Sequence, residues 1–192
     1  NGTAAIRMAS EMVKEKLIDE KTAIGRVAPS QLDELLHPIV DPEAEKITTL
    51  LAKGLPAGPG GATGKAVFTA QDAVDWEARG EKVVLVREET NPEDVEGMRA
   101  SIAILTSRGG MTSHAALVAR GWGMCCIVGA GEMKVDSAQR EFTVGGTTIR
   151  EGDKITLNGT VGKVYEGELP LIEPDITSDY LSHFLSLCDG IK

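Results

Sequence analysis

Apolar residues at the start of the chain recur at three- and four-residue spacing, the pattern of helices that bury one face. Stripes of this kind predict helices over residues 4–17 and 20–27. A third, short helix is expected to begin at Ser30 and to end at Pro38, because proline cannot continue a helix. The chain is therefore expected to begin with helical rather than β structure.

A fourth helix is predicted from the dipeptide Asp41-Pro42. An aspartate before a proline combines a side chain that caps a helix with a residue that fits its first turn. This helix is expected to run to about Lys53, where Gly54 would end it. We therefore interpret residues 1–53 as a helical linker segment.

A run rich in glycine and proline over residues 54–61 is the clearest change in composition. We interpret it as a domain boundary, and a tight turn within one domain is the alternative. Beyond it, short apolar runs alternate with helical patterns, which is typical of α/β folds. The predicted strands cover residues 65–68, 82–86, 102–105 and 125–128. Helices are predicted to begin at Thr69, Asn91 and Ser113, and the last of these is expected to end at Gly121.

After this α/β region the pattern changes to β alone. Gly145-Gly146 and residues 158–160 are turn signals, and each joins two short apolar segments into a predicted hairpin. A final helix is expected near the C-terminus. A domain over residues 54–170 is therefore predicted to follow the helical linker, with residues 171–192 as a C-terminal linker helix.

The charge balance argues against nucleic acid and membranes as partners. The formal net charge is −9, and no basic cluster is long enough to form a nucleic-acid-binding face. No apolar run approaches the roughly 18 residues of a membrane span.

Because Asn1 is not an initiator residue, we interpret the chain as a fragment. We expect a soluble, intracellular protein, and its compartment, the cytoplasm or an organelle such as a plastid or glycosome, is left open.

No metal site is expected in this chain. Cys125 and Cys126 are adjacent, so on a strand their side chains point to opposite faces and make a poor metal pair. We interpret them, with Cys188, as free thiols of a reducing compartment. A group of acidic residues is interpreted as a solvated helix face: Glu88, Glu89, Glu93, Asp94 and Glu96.

The most informative stretch, residues 106–120, has the pattern of a strand, a glycine-rich loop and a helix start. Gly109 and Gly110 allow the backbone to turn sharply and to approach a ligand. Thr112 or Ser113 can cap the helix. The first N–H groups of a helix have no partner within it and carry the positive end of its dipole. The stretch therefore predicts a phosphate-binding site.

His114 is expected in the first turn of this helix, where a neutral imidazole can act as a nucleophile. A hydroxyl of Thr112 or Ser113 could orient the ring by a hydrogen bond, and Arg108 could bind phosphate oxygens. From these residues alone, a histidine that only caps or packs is an equally good interpretation.

Residues 109–116, together with residues 119–121, resemble the phosphohistidine signature of phosphoenolpyruvate-utilising enzymes. Within this group the resemblance is closest to the pyruvate phosphate dikinase family, and it extends along nearly the whole chain. Phosphoenolpyruvate synthase and enzyme I of the sugar phosphotransferase system typically have arginine at the position of Met111 and Pro-Ala in place of Cys125-Cys126. These differences favour the dikinase.

The resemblance implies a β/β/α swivelling domain that carries a phosphoryl group on His114, in a loop shaped by Gly109, Gly110 and Thr112. It implies the reversible transfer of phosphate from ATP, through phosphohistidine, to pyruvate to give phosphoenolpyruvate. The implied partners are an ATP-grasp nucleotide-binding domain and a barrel domain for pyruvate or phosphoenolpyruvate, both in the same polypeptide. The full enzyme is expected to be a homodimer with Mg²⁺ bound by those other domains, and this chain alone is expected to be inactive.

Three questions stay open at this point. In plant members of the family, a threonine two residues before the histidine is a regulatory phosphorylation site, and Thr112 occupies that position, although it could also be only a cap. The chain could be the carrier domain of the synthase or of enzyme I. It could also be a module that binds an anion non-covalently, in which His114 is never phosphorylated.

The other histidines, His37 and His183, are expected to be structural.

Overall fold

The computed structural model describes residues 37–172. The helices predicted before Pro38 and after residue 172, together with His183 and Cys188, lie outside the described residues. Within the described part, Ile39–Ile172 forms one compact unit. This unit begins earlier in the chain than the boundary that we predicted at Gly54.

The described elements comprise four α-helices, one 3₁₀ turn and thirteen short strands. The helices are α1 (Pro42–Ile47), α2 (Ala70–Ala78), α3 (Val95–Ala100) and α4 (His114–Trp122), and the 3₁₀ turn is Pro92–Asp94. The strands are β1 (Ile39–Val40), β2 (Leu50–Lys53), β3 (Leu55–Gly58), β4 (Gly61–Val67), β5 (Val83–Arg87), β6 (Ala103–Thr106), β7 (Cys125–Val128), β8 (Lys134–Asp136), β9 (Glu141–Val144), β10 (Thr147–Arg150), β11 (Lys154–Asn158), β12 (Lys163–Glu166) and β13 (Leu171–Ile172).

Eight of the strands form a mixed sheet in the order β2-β12-β11-β4-β5-β6-β7-β3. The neighbours from β4 to β7 are parallel, and the flanking pairs are antiparallel. Parallel strands need a crossover between them, which explains why helical patterns separate the apolar runs. The carboxyl ends of β5, β6 and β7 therefore meet at one edge of the sheet.

The large sheet is covered on both faces, and alternate residues of each strand serve opposite sides. Val83 and Leu85 pack with helix residues that include Ala73, Met98 and Ala116. Val84 and Val86 pack on the other side with residues of β9 and β10. These belong to a second sheet of three strands, in the order β10-β9-β8. The expected mixed α/β fold is confirmed, with helices on one face of the large sheet and strands on the other.

Several local predictions are confirmed. The Thr69 hydroxyl accepts a hydrogen bond of 3.1 Å from the Asp72 amide and caps α2. The hairpin of β9 and β10 turns at Gly145 and Gly146, whose φ angles of 53° and 84° are the left-handed values that favour glycine. Strand β7 has the predicted bounds.

The prediction of a helix from residue 42 to Lys53 is wrong. Asp41 does cap α1, but the helix ends at Ile47 and Thr48 is extended. Leu50–Lys53 is instead strand β2, paired with β12, and it buries Leu51 in the core on the strand-covered face. Burial in a sheet outweighs the local helix signal here because a short helix gains little stability by itself.

Two further boundaries differ from the prediction. Helix α4 passes through Gly121 and ends after Trp122, where Gly123 (φ 65°) provides the left-handed cap. Residues 55–58, part of the run that we interpreted as a boundary, form strand β3. Pro56 is tolerated because β3 lies at the edge of the sheet and pairs only with β7.

The two ends of the compact unit lie side by side. Strands β1 and β13 pair antiparallel, with Ile39 opposite Ile172. The Asp41 amide donates a hydrogen bond of 2.9 Å to the Pro170 carbonyl. The chain therefore enters and leaves this unit at one place.

A partly buried charge cluster joins α2 to the strand-covered side of the fold. Arg140 Nε lies 3.0 Å from Asp72 Oδ2 and 3.2 Å from Glu151 Oε2. Both carboxylates are mostly covered, with 15% and 18% of their side chains exposed. Burial, together with the nearby Asp72 charge, raises the pKa of Glu151 despite the attraction of Arg140.

We predict that Glu151→Gln raises the free energy of unfolding at pH 7. A carboxyl group whose pKa is higher in the folded state does not lower the free energy of unfolding while it is protonated in both states. The loss of stability begins as the pH rises past the unfolded-state pKa of about 4.3, and it is complete above the folded-state pKa. Urea denaturation between pH 4.5 and 7 should therefore show a gain that grows with pH. The exposed Glu77→Gln is the matched control for the loss of one carboxylate, and a uniform loss of stability for Glu151→Gln would contradict the prediction.

Candidate active site

Three loops meet at the carboxyl edge of the parallel strands, after β5, β6 and β7. Backbone hydrogen bonds join them directly. The Arg108 amide donates to the Glu88 carbonyl at 2.9 Å, and the Ala130 amide donates to the Thr106 carbonyl at 3.1 Å. This is the edge at which open α/β sheets usually bind ligands. The loops therefore form a connected platform for the residues that they carry.

His114 is the first residue of α4, as expected from the sequence. Ser113 is the cap residue, and its hydroxyl accepts a hydrogen bond of 3.4 Å from the Ala116 amide. Ala115 and Ala116 are buried against the sheet, whereas His114 is half-buried. The helix start is thus anchored from behind while the imidazole remains accessible from outside.

The hydroxyl that orients the imidazole belongs to Thr90, which the sequence analysis did not identify. Thr90 Oγ1 lies 3.0 Å from His114 Nδ1, and Thr90 is 3% exposed. Our expectation that Thr112 or Ser113 has this role is wrong. Thr112 is exposed, and the Ser113 hydroxyl is engaged in the helix cap. The sequence feature that could have identified Thr90 is its place just after the buried strand β5, which lies next to β6 in the sheet.

Thr90 is itself held by the turn that follows it. The Asn91 amide donates to Asp94 Oδ2 at 2.9 Å, and the Asp94 amide donates back to the Asn91 carbonyl at 2.9 Å. Asp94 is 7% exposed, and its Oδ2 lies 3.6 Å from Arg87 Nε. The expectation that Asp94 is part of a solvated acidic face is therefore wrong, because its carboxylate stabilises the turn.

The contact with Thr90 occupies one ring nitrogen, Nδ1. When the proton is on Nδ1, that nitrogen donates to Thr90 Oγ1 and Nε2 keeps its lone pair. Among residues 37–172, no group makes a hydrogen bond to Nε2 of His114. The geometry therefore presents Nε2 as the nucleophilic atom.

The two glycines of the loop have different roles. Gly109 has a φ of 99°, and a Cβ at this position would lie 2.9 Å from the Ser113 Cβ. The fold itself therefore requires glycine there. A Cβ at Gly110 would have nothing within 4 Å, so the space beside it is open. Because its carbonyl accepts a 3.0 Å hydrogen bond from the Ser113 amide, Gly110 lies next to the helix start.

Arg108 is paired with a carboxylate in this structure. Its Nη1 lies 2.8 Å from Glu88 Oε1, and 72% of the arginine side chain is exposed. The structure thus brings His114, Gly109, Gly110 and Ser113 together, with Arg108 beside them but held by Glu88.

The adjacent cysteines are confirmed as buried free thiols. Cys125 and Cys126 contribute to the cores on opposite faces of the sheet. Burial raises the pKa of each thiol to about 12, so neither is a thiolate near neutral pH. Within residues 37–172, no group of His, Cys, Asp or Glu residues is arranged to hold a metal ion.

No helix among residues 37–172 is long and apolar enough to cross a membrane.

The two tryptophans contact arginines. The Arg79 guanidinium lies 5.0 Å from the ring centre of Trp76, and that of Arg99 lies 5.5 Å from Trp122. Trp76 also packs against the core on the helix side, whereas Trp122 is 41% exposed at the end of α4.

The loops that form this site lie in a part of the chain that matches a known family. Residues 79–162 match the family described as PEP-utilising enzyme, mobile domain. This range contains both Thr90 and His114. The predicted resemblance to the phosphoenolpyruvate-utilising enzymes is confirmed.

The whole chain is also similar to part of pyruvate, phosphate dikinase. It is 49% identical over 192 residues to the chloroplastic protein of Mesembryanthemum crystallinum and 51% identical over 192 residues to that of Flaveria trinervia. All of this chain and 20% of each relative are covered, so the chain spans about a fifth of their length. Among solved structures, an NMR structure of an Enzyme I protein matches with 26% identity and a TM-score of 0.32, over 55% of this chain and 37% of that one.

We predict that Thr90→Val changes the tautomer of the His114 imidazole. Valine has the shape of threonine but forms no hydrogen bond with Nδ1, and in the proposed arrangement the Thr90 hydroxyl accepts from protonated Nδ1. The ratio of Nδ1-protonated to Nε2-protonated His114 should fall roughly fivefold, since a typical hydrogen bond contributes about 1 kcal/mol. Nitrogen-15 NMR of the ring at pH 8 measures this ratio. Thr90→Ser should retain the wild-type ratio, and an unchanged ratio in Thr90→Val would exclude the proposed orienting role.

Proposed function

We propose that this chain is the phosphoryl carrier domain of a pyruvate phosphate dikinase, and that His114 carries the phosphoryl group. The observation that supports this most directly is the half-buried imidazole at the start of α4, with Nδ1 held by Thr90 and Nε2 unoccupied by any described residue. Similarity to the dikinase along the whole chain supports the choice of enzyme.

The proposed chemistry has two half-reactions on one atom. The Nε2 lone pair attacks phosphorus of a phosphoryl group that originates from ATP. A P–N bond forms, the P–O bond to the leaving group breaks, and the leaving oxygen takes the electron pair. In the second half, the enolate oxygen of pyruvate attacks phosphorus, the P–N bond breaks, and its electrons return to Nε2. Phosphoenolpyruvate is formed, and the sequence is reversible.

The loop before the helix supports the transferred group. The first-turn N–H groups of α4 and its dipole favour a phosphoryl dianion. The open space beside Gly110 admits the donor, while Gly109 and the Ser113 cap hold the backbone in place. Arg108 is long and exposed enough to bind phosphoryl oxygens once it leaves Glu88. Thr112 is exposed two residues from His114, so we also propose it as a site of regulatory phosphorylation.

The two half-reactions need partner domains. We propose that an ATP-grasp domain and a barrel domain of the same polypeptide supply nucleotide and pyruvate, with Mg²⁺ bound by those domains, and that the full enzyme is a homodimer. The compact unit Ile39–Ile172 would be the carrier. Because β1 and β13 pair at its base, the carrier can swivel about the single place where the chain enters and leaves it.

Labelling of His114 tests this proposal. The full-length protein that contains this chain should take up phosphate from labelled phosphoenolpyruvate in the presence of Mg²⁺. The label should be stable in base and labile in acid. It should be absent from a His114→Asn variant and present in the matched His37→Asn and His183→Asn variants.

A wild-type protein that takes up no label would contradict the carrier role. It would favour the alternative in which the loop holds an anion non-covalently. Overall turnover that does not depend on inorganic phosphate would instead point to the synthase.

A further inference from the structure

Glu88 and Arg108 connect the two loops that hold His114. Their side chains form an ion pair of 2.8 Å, and the Arg108 amide also donates to the Glu88 carbonyl at 2.9 Å. The backbone contact fixes the relative position of the loops, whereas the side chains are 51% and 72% exposed, respectively. Because exposed ion pairs are weak, the guanidinium can exchange this carboxylate for another anion.

Both charged residues belong to the loops that lead to Thr90 and His114. Glu88 is two residues before Thr90, whose hydroxyl contacts the imidazole. Arg108 directly precedes Gly109, and Gly109 packs so closely on Ser113 that a Cβ there would be 2.9 Å from the Ser113 Cβ. Ser113 is the neighbour of His114.

We propose that Glu88 is a positioning residue that acts through Arg108. In the free carrier Arg108 is paired with Glu88, and in the phosphorylated carrier it moves to the phosphoryl oxygens. This inference rests on the proposed carrier function. A phosphoryl group has about −1.5 to −2 charges and three acceptor oxygens, against one charge for a carboxylate, so the exchange favours the phosphoryl group. Competition from Glu88 weakens that hold, which keeps the phosphoryl group transferable.

A second cation is available to Glu88 after the exchange. Glu88, Arg108 and Lys134 line one cavity of about 330 Å³ beside the loop. Glu88 and Lys134 also line a neighbouring cavity of about 560 Å³. Lys134 lies on β8, outside the two loops. It can therefore compensate the carboxylate charge of Glu88 without disturbing the backbone around His114.

Phosphorus-31 NMR of the 192-residue chain tests the exchange without partner domains. Phosphoramidate phosphorylates histidine directly: Nε2 attacks phosphorus, the P–N bond of the reagent breaks, and ammonia leaves. The signal of His114 is assigned by its loss in His114→Asn. The measured quantity is the pKa of the phosphoryl group for its ionisation from monoanion to dianion, which falls when a cation pairs with the dianion.

Arg108→Gln should raise this phosphoryl pKa, and Glu88→Gln should lower it by roughly 0.3 to 0.7 units, the size expected for a partly exposed ion pair. Glu89→Gln, the matched loss of one charge at the next residue, should change it less. The decisive variant is the double substitution Glu88→Gln with Arg108→Gln, which should titrate like Arg108→Gln alone.

If Glu88→Gln lowers the phosphoryl pKa equally in the presence and absence of Arg108, Glu88 acts only through its own charge and the exchange does not occur. The exchange is also excluded if the wild-type chain is phosphorylated but neither single variant changes the phosphoryl pKa. A wild-type chain that takes no phosphoryl group on His114 would overturn the carrier function, and this inference with it.

Discussion

A single hydrogen bond between Thr90 Oγ1 and His114 Nδ1 fixes the imidazole, and the rest of the site is arranged around it. It requires β5 and β6 to be parallel neighbours, because only then do the loops after both strands reach the same edge of the sheet. The 3₁₀ turn that Asp94 stabilises and the helix cap of Ser113 hold the two ends of this contact. A fixed ring with one free nitrogen is suited to accept a group from one partner and to release it to another.

The rest of the site consists of a rigid backbone support and of charged side chains that can change partners. Buried alanines hold α4 against the sheet, and Gly109 sets a loop conformation that other residues would strain. By contrast, Arg108 and Glu88 are exposed side chains whose pairing can change without moving the backbone. A phosphoryl carrier benefits from this division, because the nucleophile must stay in place while the charge around it changes with each transfer.

Much of the fold was predictable because local signals agreed with the final structure. Apolar runs that alternate with helical patterns, and caps such as Thr69, indicated the strands and helices of the α/β part, and Gly145-Gly146 indicated a hairpin. Strand β2 was missed because its pairing partner, β12, is more than a hundred residues away in the sequence. Thr90 was missed for the same reason: its partner lies 24 residues away and is reached only through the sheet. Sequence spacing predicted the nucleophile, whereas the group that orients it depends on tertiary structure.

Nδ1 of His114 is engaged by Thr90, and the proposed carrier function makes Nε2 the atom that holds the phosphoryl group. Two-dimensional NMR that correlates the ring carbons and nitrogens of His114 with phosphorus, recorded on the phosphorylated protein, identifies the bonded nitrogen directly. A phosphorus coupling that assigns the P–N bond to Nε2, with Nδ1 still protonated beside Thr90, is the expected result. A P–N bond to Nδ1 would show that the imidazole is not held in the orientation described here.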